Sequence, residues 1–152
     1  MSASFVRFQF EDDHDGTGFL TVDGRFGSFA GKGRACFSIH ELEAFAAQIG
    51  AYPISTSPRP EVKGGFYSKA NDGTLAQELV GLAVYPINLR GDLAIQLRVM
   101  TEWWDGDRPE SQCRAAFEVP VSYEALRTLS SELPRLARGE VDEVRVESMS
   151  NR

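Results

Sequence analysis

The feature that most constrains the fold is a strict alternation of apolar and polar residues after position 92. Apolar side chains occupy every second position, at Leu93, Ile95, Leu97 and Val99. Gln96 and Arg98 stand between them. Because successive side chains of a strand point to opposite faces, the pattern predicts a strand with one buried face and one wet face. Antiparallel sheets allow that arrangement.

Further strands are predicted on both sides of this one. They cover residues 4–11, 18–24, 28–37, 63–70, 75–89, 113–119 and a short edge strand at 144–147. Polar turns separate them, including Asp72-Gly73 and Arg90-Gly91-Asp92. Gly31 and Gly33 lie inside a predicted strand, which indicates a bulge or the close approach of another backbone.

Two helices are predicted from their N-caps. Ser38 precedes an apolar stripe and Glu41 stands three residues later, which is the spacing of a capping box. Ser122 opens a second helix, which we expect Pro134 to kink or end. The predicted fold is therefore α+β, with a single antiparallel sheet of about six to eight strands and both helices packed on one face. We expect residues 1–152 to form a single domain.

The net charge narrows the possible partners. The chain has 152 residues and a formal charge of −6. An acidic chain lacks the basic footprint of a nucleic-acid binder and is repelled by anionic membranes, so we expect neither partner. No apolar run approaches the roughly 20 residues that span a bilayer, and no signal-peptide pattern opens the sequence. We expect a cytoplasmic protein whose Cys36 and Cys113 are reduced.

The acidic turn near the N-terminus resembles a calcium-binding loop but lacks features that such a loop needs. Glu11, Asp13 and Asp15 alternate before Gly16, as ligands do in an EF-hand. The position of the bidentate glutamate is Val22, and predicted strands flank the turn where helices are required. The cysteine and histidine spacings suit no zinc site. We therefore expect no metal and no other cofactor.

Catalytic motifs are incomplete as well. Residues 27–33 resemble a phosphate-binding loop, but the loop is one residue short and Gly33 replaces the serine or threonine that holds magnesium. No nucleophile elbow occurs, and strand parity places Cys36 on the polar side and Cys113 on the core side. No catalytic residue is predicted, although an acid–base pair of carboxylates is left open.

The most informative local segment is 102–112, which contains two adjacent tryptophans. Trp103 has the parity of the apolar row and is expected in the core if the strand continues to it. Trp104 is then expected outside, close to Asp105 and Arg108. Tryptophan beside arginine and aspartate is typical of a binding hot spot, so these three residues are the candidate binding site. The alternative is that the second tryptophan covers part of the sheet.

Several stretches carry a resemblance to a family of small bacterial proteins with no assigned function. They are residues 37–45, 84–87, 104–112 and 123–126. The resemblance implies one domain and no particular activity. In size, acidity and α+β make-up the chain is also similar to immunity proteins that neutralise bacterial toxins.

Three functions remain open from the sequence. The leading hypothesis is a non-enzymatic protein-interaction protein, immunity-like or otherwise, that uses the open sheet face and the 102–112 loop. The second is a small enzyme or small-molecule binder with a carboxylate-lined pocket. The third is a homodimer that buries its open sheet face or edge against its copy.

Overall fold

Eight strands and two α-helices make up residues 3–70 and 72–149, the part that this computed structural model describes. In chain order they are β1 (Phe5–Asp12), β2 (Thr17–Phe26), β3 (Phe29–Ser38), α1 (Ile39–Ile49), β4 (Glu61–Tyr67), β5 (Leu75–Pro86), β6 (Leu93–Met100), β7 (Arg114–Val121), α2 (Tyr123–Ala137) and β8 (Val144–Glu147). A short 3₁₀ turn at Pro109–Ser111 precedes β7. The predicted α+β class, the antiparallel pairing and both helices are confirmed.

The strands form two sheets, so the prediction of a single sheet is wrong. The first sheet has the order β3-β2-β1-β8, and the second has the order β4-β5-β6-β7. Most strands have one buried face and one partly exposed face, and this alternation is the same in one sheet as in two packed sheets. Strand β5 is the exception, because both of its faces are buried from Leu79 to Val84. The residues that distinguish the two arrangements are glycines at the contact between the sheets.

Strand β3 runs across the inner face of the second sheet. Near its C-terminal end Phe37 abuts Gly64 of β4, where a Cβ atom would lie 2.7 Å from the Phe37 ring. Further back, a Cβ on Gly31 would lie 2.6 Å from the Cβ of Ala115 in β7. One strand thus passes over the second sheet from β4 to β7, as in orthogonally packed sheets. At Gly33 the predicted close approach of another backbone is confirmed, because a Cβ there would lie 3.1 Å from the Leu79 carbonyl oxygen, whereas the neighbours of Gly31 are side chains. The unbroken register between β2 and β3 shows that no bulge is present.

The helix starts follow the predicted local chemistry. Ser38 and Glu41 form the capping box: the Glu41 N–H donates to Ser38 Oγ and the Ser38 N–H donates to Glu41 Oε1, both at 3.1 Å. Pro134 does not end α2, which continues to Ala137. A proline in the last turn removes only one backbone donor, while the buried Leu136 and Ala137 hold that turn against the core.

A single cluster of buried side chains joins both helices to both sheets. Its largest fully buried members are Phe8, Phe37, Leu20, Leu42, Ile49, Leu82, Leu93, Ile95, Leu97, Leu126, Leu129 and Leu133. The helices pack on each other, and Ser130 Oγ of α2 donates to the Ala46 carbonyl of α1 at 2.6 Å. In the described residues no helix is long and apolar enough to cross a membrane.

Candidate interaction surface

The two tryptophans lie beyond the end of β6. That strand ends at Met100, so the alternation that predicted a core position for Trp103 does not reach it. Trp103 is half-buried and does not belong to the core cluster. Trp104 is 58% exposed, which confirms that it lies outside.

Gln77 of β5 anchors the loop at Trp103. The Trp103 N–H donates to Gln77 Oε1 at 2.9 Å, and Gln77 Nε2 donates to the Trp103 carbonyl at 2.6 Å. One amide side chain therefore satisfies both backbone groups of Trp103, as a neighbouring strand would. The backbone that carries the exposed Trp104 is held on a rigid element of the second sheet.

A turn fixes the backbone immediately after this anchor. The Trp104 N–H donates to Asp107 Oδ2 at 2.9 Å, and the Asp107 N–H donates to the Trp104 carbonyl at 3.0 Å. Gly106 has φ +93°, a left-handed conformation that glycine adopts without steric cost. Trp104 is thus presented by a hydrogen-bonded turn.

The partner of Trp104 is an aromatic residue that was not among the predicted site residues. The Trp104 and Phe66 rings have centroids 5.5 Å apart with an interplanar angle of 49°. Phe66 is itself 37% exposed. Its signal in the sequence was the adjacent pair Phe66-Tyr67, because two neighbouring aromatics on a strand cannot both face the core.

Asp105 and Arg108, the other two predicted site residues, are both exposed. Arg108 Nε lies 3.9 Å from Glu110 Oε2, and the ring contact of Trp104 is with Phe66. The structure therefore brings Phe66 into ring contact with Trp104, while among the described residues no hydrogen bond or ion pair joins Trp104 to Asp105 or Arg108.

A pocket of about 330 Å³ adjoins Phe66. Its walls are Phe19, Arg34, Ala35, Cys36, Gly65, Phe66, Leu79 and Glu102. The Arg34 guanidinium lies 4.0 Å from the centroid of the Phe19 ring, a cation–π contact, and 3.3 Å from Glu11. The pocket combines apolar side chains with the charged Arg34 and Glu102, and it shares the Phe66 wall with the aromatic pair.

The outer face of the second sheet is polar. It is one of two faces that correspond to the predicted open sheet face. Arg98 donates to Glu61 at 3.0 Å and to Glu78 at 3.1 Å. Tyr85 donates to Glu118, and burial together with that hydrogen bond raises the pKa of Tyr85 to about 12. This face presents paired charges rather than an apolar patch.

A larger cleft of about 700 Å³ lies between α1 and β4 and contains three carboxylates, those of Glu41, Glu61 and Glu78. Each has a structural partner. Glu41 closes the capping box, and the other two hold Arg98. The cleft is therefore charged, but each of its three carboxylates is already engaged in a hydrogen bond or ion pair.

The cysteines and metal-binding residue types form no site within residues 3–70 and 72–149. No group of three or more His, Cys, Asp or Glu side chains converges there. Cys36 is half-buried on the outer face of β3, as its parity predicted. The inward placement of Cys113 is wrong: β7 begins at Arg114, so Cys113 precedes the strand and is exposed.

No protein-family model, curated protein or solved structure matches this chain. The resemblances noted from the sequence therefore stay predictions. Function must be inferred from the chemistry of the surface itself.

Proposed function

We propose that the protein is a non-enzymatic, cytoplasmic interaction protein that binds a protein partner at Trp104 and Phe66. The observation that carries this proposal is an exposed tryptophan packed against an exposed phenylalanine on an anchored loop. Tryptophan is enriched among the residues that dominate binding energy at protein interfaces. The acidic net charge favours a protein partner over a nucleic acid or an anionic membrane.

Preorganisation strengthens this interpretation. The bonds from Gln77 and the turn closed by Asp107 order the loop before any partner arrives. A side chain held on an ordered backbone loses less conformational entropy on binding than one on a mobile loop. The neighbouring pocket can accept one apolar side chain of the partner beside the aromatic pair.

Small-molecule chemistry in the cleft between α1 and β4 is the weaker candidate. Glu61 and Glu78 already neutralise Arg98, and general acid–base catalysis needs a carboxyl group free to exchange a proton with substrate. Self-association through the aromatic pair uses the same surface and is distinguished by experiment.

The test is the substitution Trp104→Ala with Leu89→Ala as its matched control. Leu89 is fully exposed in the turn between β5 and β6, at the opposite end of that hairpin from Trp104. The partner is captured from the native organism on tagged protein, identified by mass spectrometry, and its dissociation constant is measured with each variant. Loss of a hot-spot tryptophan costs about 2 kcal/mol or more, so Trp104→Ala should bind about 30-fold more weakly.

Leu89→Ala should bind like the wild type, and both variants should keep their stability within about 0.5 kcal/mol. Equal binding by wild type and Trp104→Ala would refute the proposal. Sedimentation velocity decides the self-association alternative, because a dimer that Trp104→Ala dissociates would identify the partner as a second copy.

A further inference from the structure

The four edges of the two sheets differ in how well they are protected against an added strand. Among the described strands, β3, β8, β4 and β7 lie at edges. β8 has four residues, β4 has two register irregularities, and β7 contains Pro120. Short length, bulges and proline each hinder pairing with another chain. Strand β3 has ten residues, an unbroken register and no proline.

The free side of β3 runs from Ala30 to Arg34 before β4 covers it, because a Cβ on Gly64 would lie 2.9 Å from the Cys36 carbonyl oxygen. Only β2 pairs with it, so alternate residues direct their N–H and C=O groups away from the sheet. In the described part of the chain, no backbone hydrogen bond from a loop reaches residues 30–37. Residues Ala30, Lys32 and Arg34 are exposed.

Two concave sites lie along β3, the 330 Å³ pocket beside Phe66 and a depression of about 130 Å³. The depression is lined by Ala30, Gly31, Lys32, Val99, Met100, Thr101, Cys113, Arg114 and Ala115. Because adjacent residues of β3 line each of these sites, both lie against the strand backbone rather than over one of its faces. We call the two sites together the β3 groove.

The charges at the groove select a partner of opposite sign. Lys32 pairs in register with Asp23, but that carboxylate holds Arg7 at 2.7 Å. Arg114 donates to the neutral Gln112, and within the described residues neither Lys32 nor Arg114 has a carboxylate partner. Lys32 and Arg114 line the same depression, so two cations without a carboxylate partner lie together there. Glu102 marks the pocket end, where an apolar side chain fits better than an acidic one.

We infer that the β3 groove binds an extended segment of a protein partner, with alternating acidic and apolar side chains, which adds to the first sheet as a fifth strand. The segment's backbone pairs with β3, its apolar side chains enter the groove, and its carboxylates meet Lys32 and Arg114. This inference rests on the proposed function and names the partner's chemistry. A second copy of the chain is disfavoured, because antiparallel pairing of two β3 strands sets Lys32 and Arg34 against one another.

The probe is a capped eight-residue peptide of alternating valine and glutamate, labelled for fluorescence anisotropy. It should bind at neutral pH, and the corresponding valine–lysine peptide should not. Binding should also slow hydrogen exchange at alternate amides of β3. A paired strand directs the amide groups of alternate residues to its neighbour. N-methylation of the odd-numbered or of the even-numbered peptide residues should therefore have opposite results, one set abolishing binding and the other preserving it. Equal effects of the two methylation patterns, or no binding, would overturn the inference.

Charge variants provide the second readout. The double variant Lys32→Gln with Arg114→Gln should raise the dissociation constant of the acidic peptide about fivefold, because two exposed ion pairs are lost. The matched control, Lys63→Gln with Arg127→Gln, removes two cations that likewise have no carboxylate partner among the residues that the structure describes but lie outside the groove. An equal loss in both doubles means general electrostatic attraction and contradicts a specific site.

The same variants separate this inference from the proposed function. Strand addition is refuted if the natural partner binds the Lys32/Arg114 double variant normally, fails to bind Trp104→Ala, and does not slow hydrogen exchange in β3. That result leaves the aromatic site supported. The aromatic site alone is refuted if the peptide binds and slows hydrogen exchange in β3 while the affinity of the natural partner is unchanged by Trp104→Ala. Protection of β3 that grows with protein concentration in the absence of peptide would instead identify a second copy and overturn the inference.

Discussion

The close packing of β3 against the second sheet predicts that Gly31→Ala destabilises the protein. A Cβ at this position would lie 2.6 Å from the Cβ of Ala115 and 2.8 Å from a methyl carbon of Val99. Favourable carbon–carbon contacts are about 3.5–4.0 Å, so one layer must move by about 1 Å. Neither neighbour is the end of a long flexible side chain that could swing aside.

Two terms of opposite sign set the magnitude. Overpacking a well-packed core costs about 1–3 kcal/mol. Replacing glycine by alanine in ordinary extended backbone returns about 0.4–1 kcal/mol by restricting the unfolded chain. We therefore expect a net loss of about 1.5 kcal/mol in the free energy of unfolding, or a fall of about 3–6 °C in Tm for a chain of this size.

The assay is urea denaturation of Gly31→Ala, Ala115→Gly and the double variant. Ala115→Gly removes the closer of the two clashing atoms, so the double variant should be more stable than the sum of the single effects by about 0.5 kcal/mol or more. Lys32→Ala, on the outer face of the same strand, should change the stability by less than about 0.5 kcal/mol. A neutral or stabilising Gly31→Ala, or strictly additive effects, would refute the packing of β3 across the second sheet.

Two further predictions concern local structure. Ser38→Ala should lower the free energy of unfolding by about 1 kcal/mol and cost more than Ser122→Ala, because only Ser38 belongs to a two-way capping box; urea denaturation that ranks them in reverse would contradict this. The Thr17 hydroxyl and N–H both donate to Asp15 and hold its pKa below the usual value. The stabilisation from this turn should therefore be present at neutral pH and disappear as the pH falls through the lowered pKa. An NMR titration should show the Asp15 pKa rising in Thr17→Val while that of Asp72, held low by Thr74, does not move.

The features predicted well from the sequence are those that depend on neighbouring residues. The alternation from Leu93 to Val99 defined the buried face of β6, and Ser38 with Glu41 defined the start of α1. Gly33 correctly indicated that another backbone comes close, and Gly31 lies against the side chains of Ala115 and Val99. Each of these signals spans only a few residues, because strand parity and helix capping are set by local geometry.

The sequence by itself therefore determined the helices, the approximate positions of the strands and the buried face of β6. It placed Trp104 outside by a strand parity that ends at Met100. Only the tertiary structure decided that the strands divide into two crossed sheets, that α2 continues past Pro134, and that Phe66 lies beside Trp104. Alternation of apolar and polar residues indicates that one face of a strand is buried, but it does not indicate which residues cover that face. The covering layer comes from residues distant in the chain, as when Ala115 and Val99 meet Gly31, and such contacts are set by how all the layers pack together.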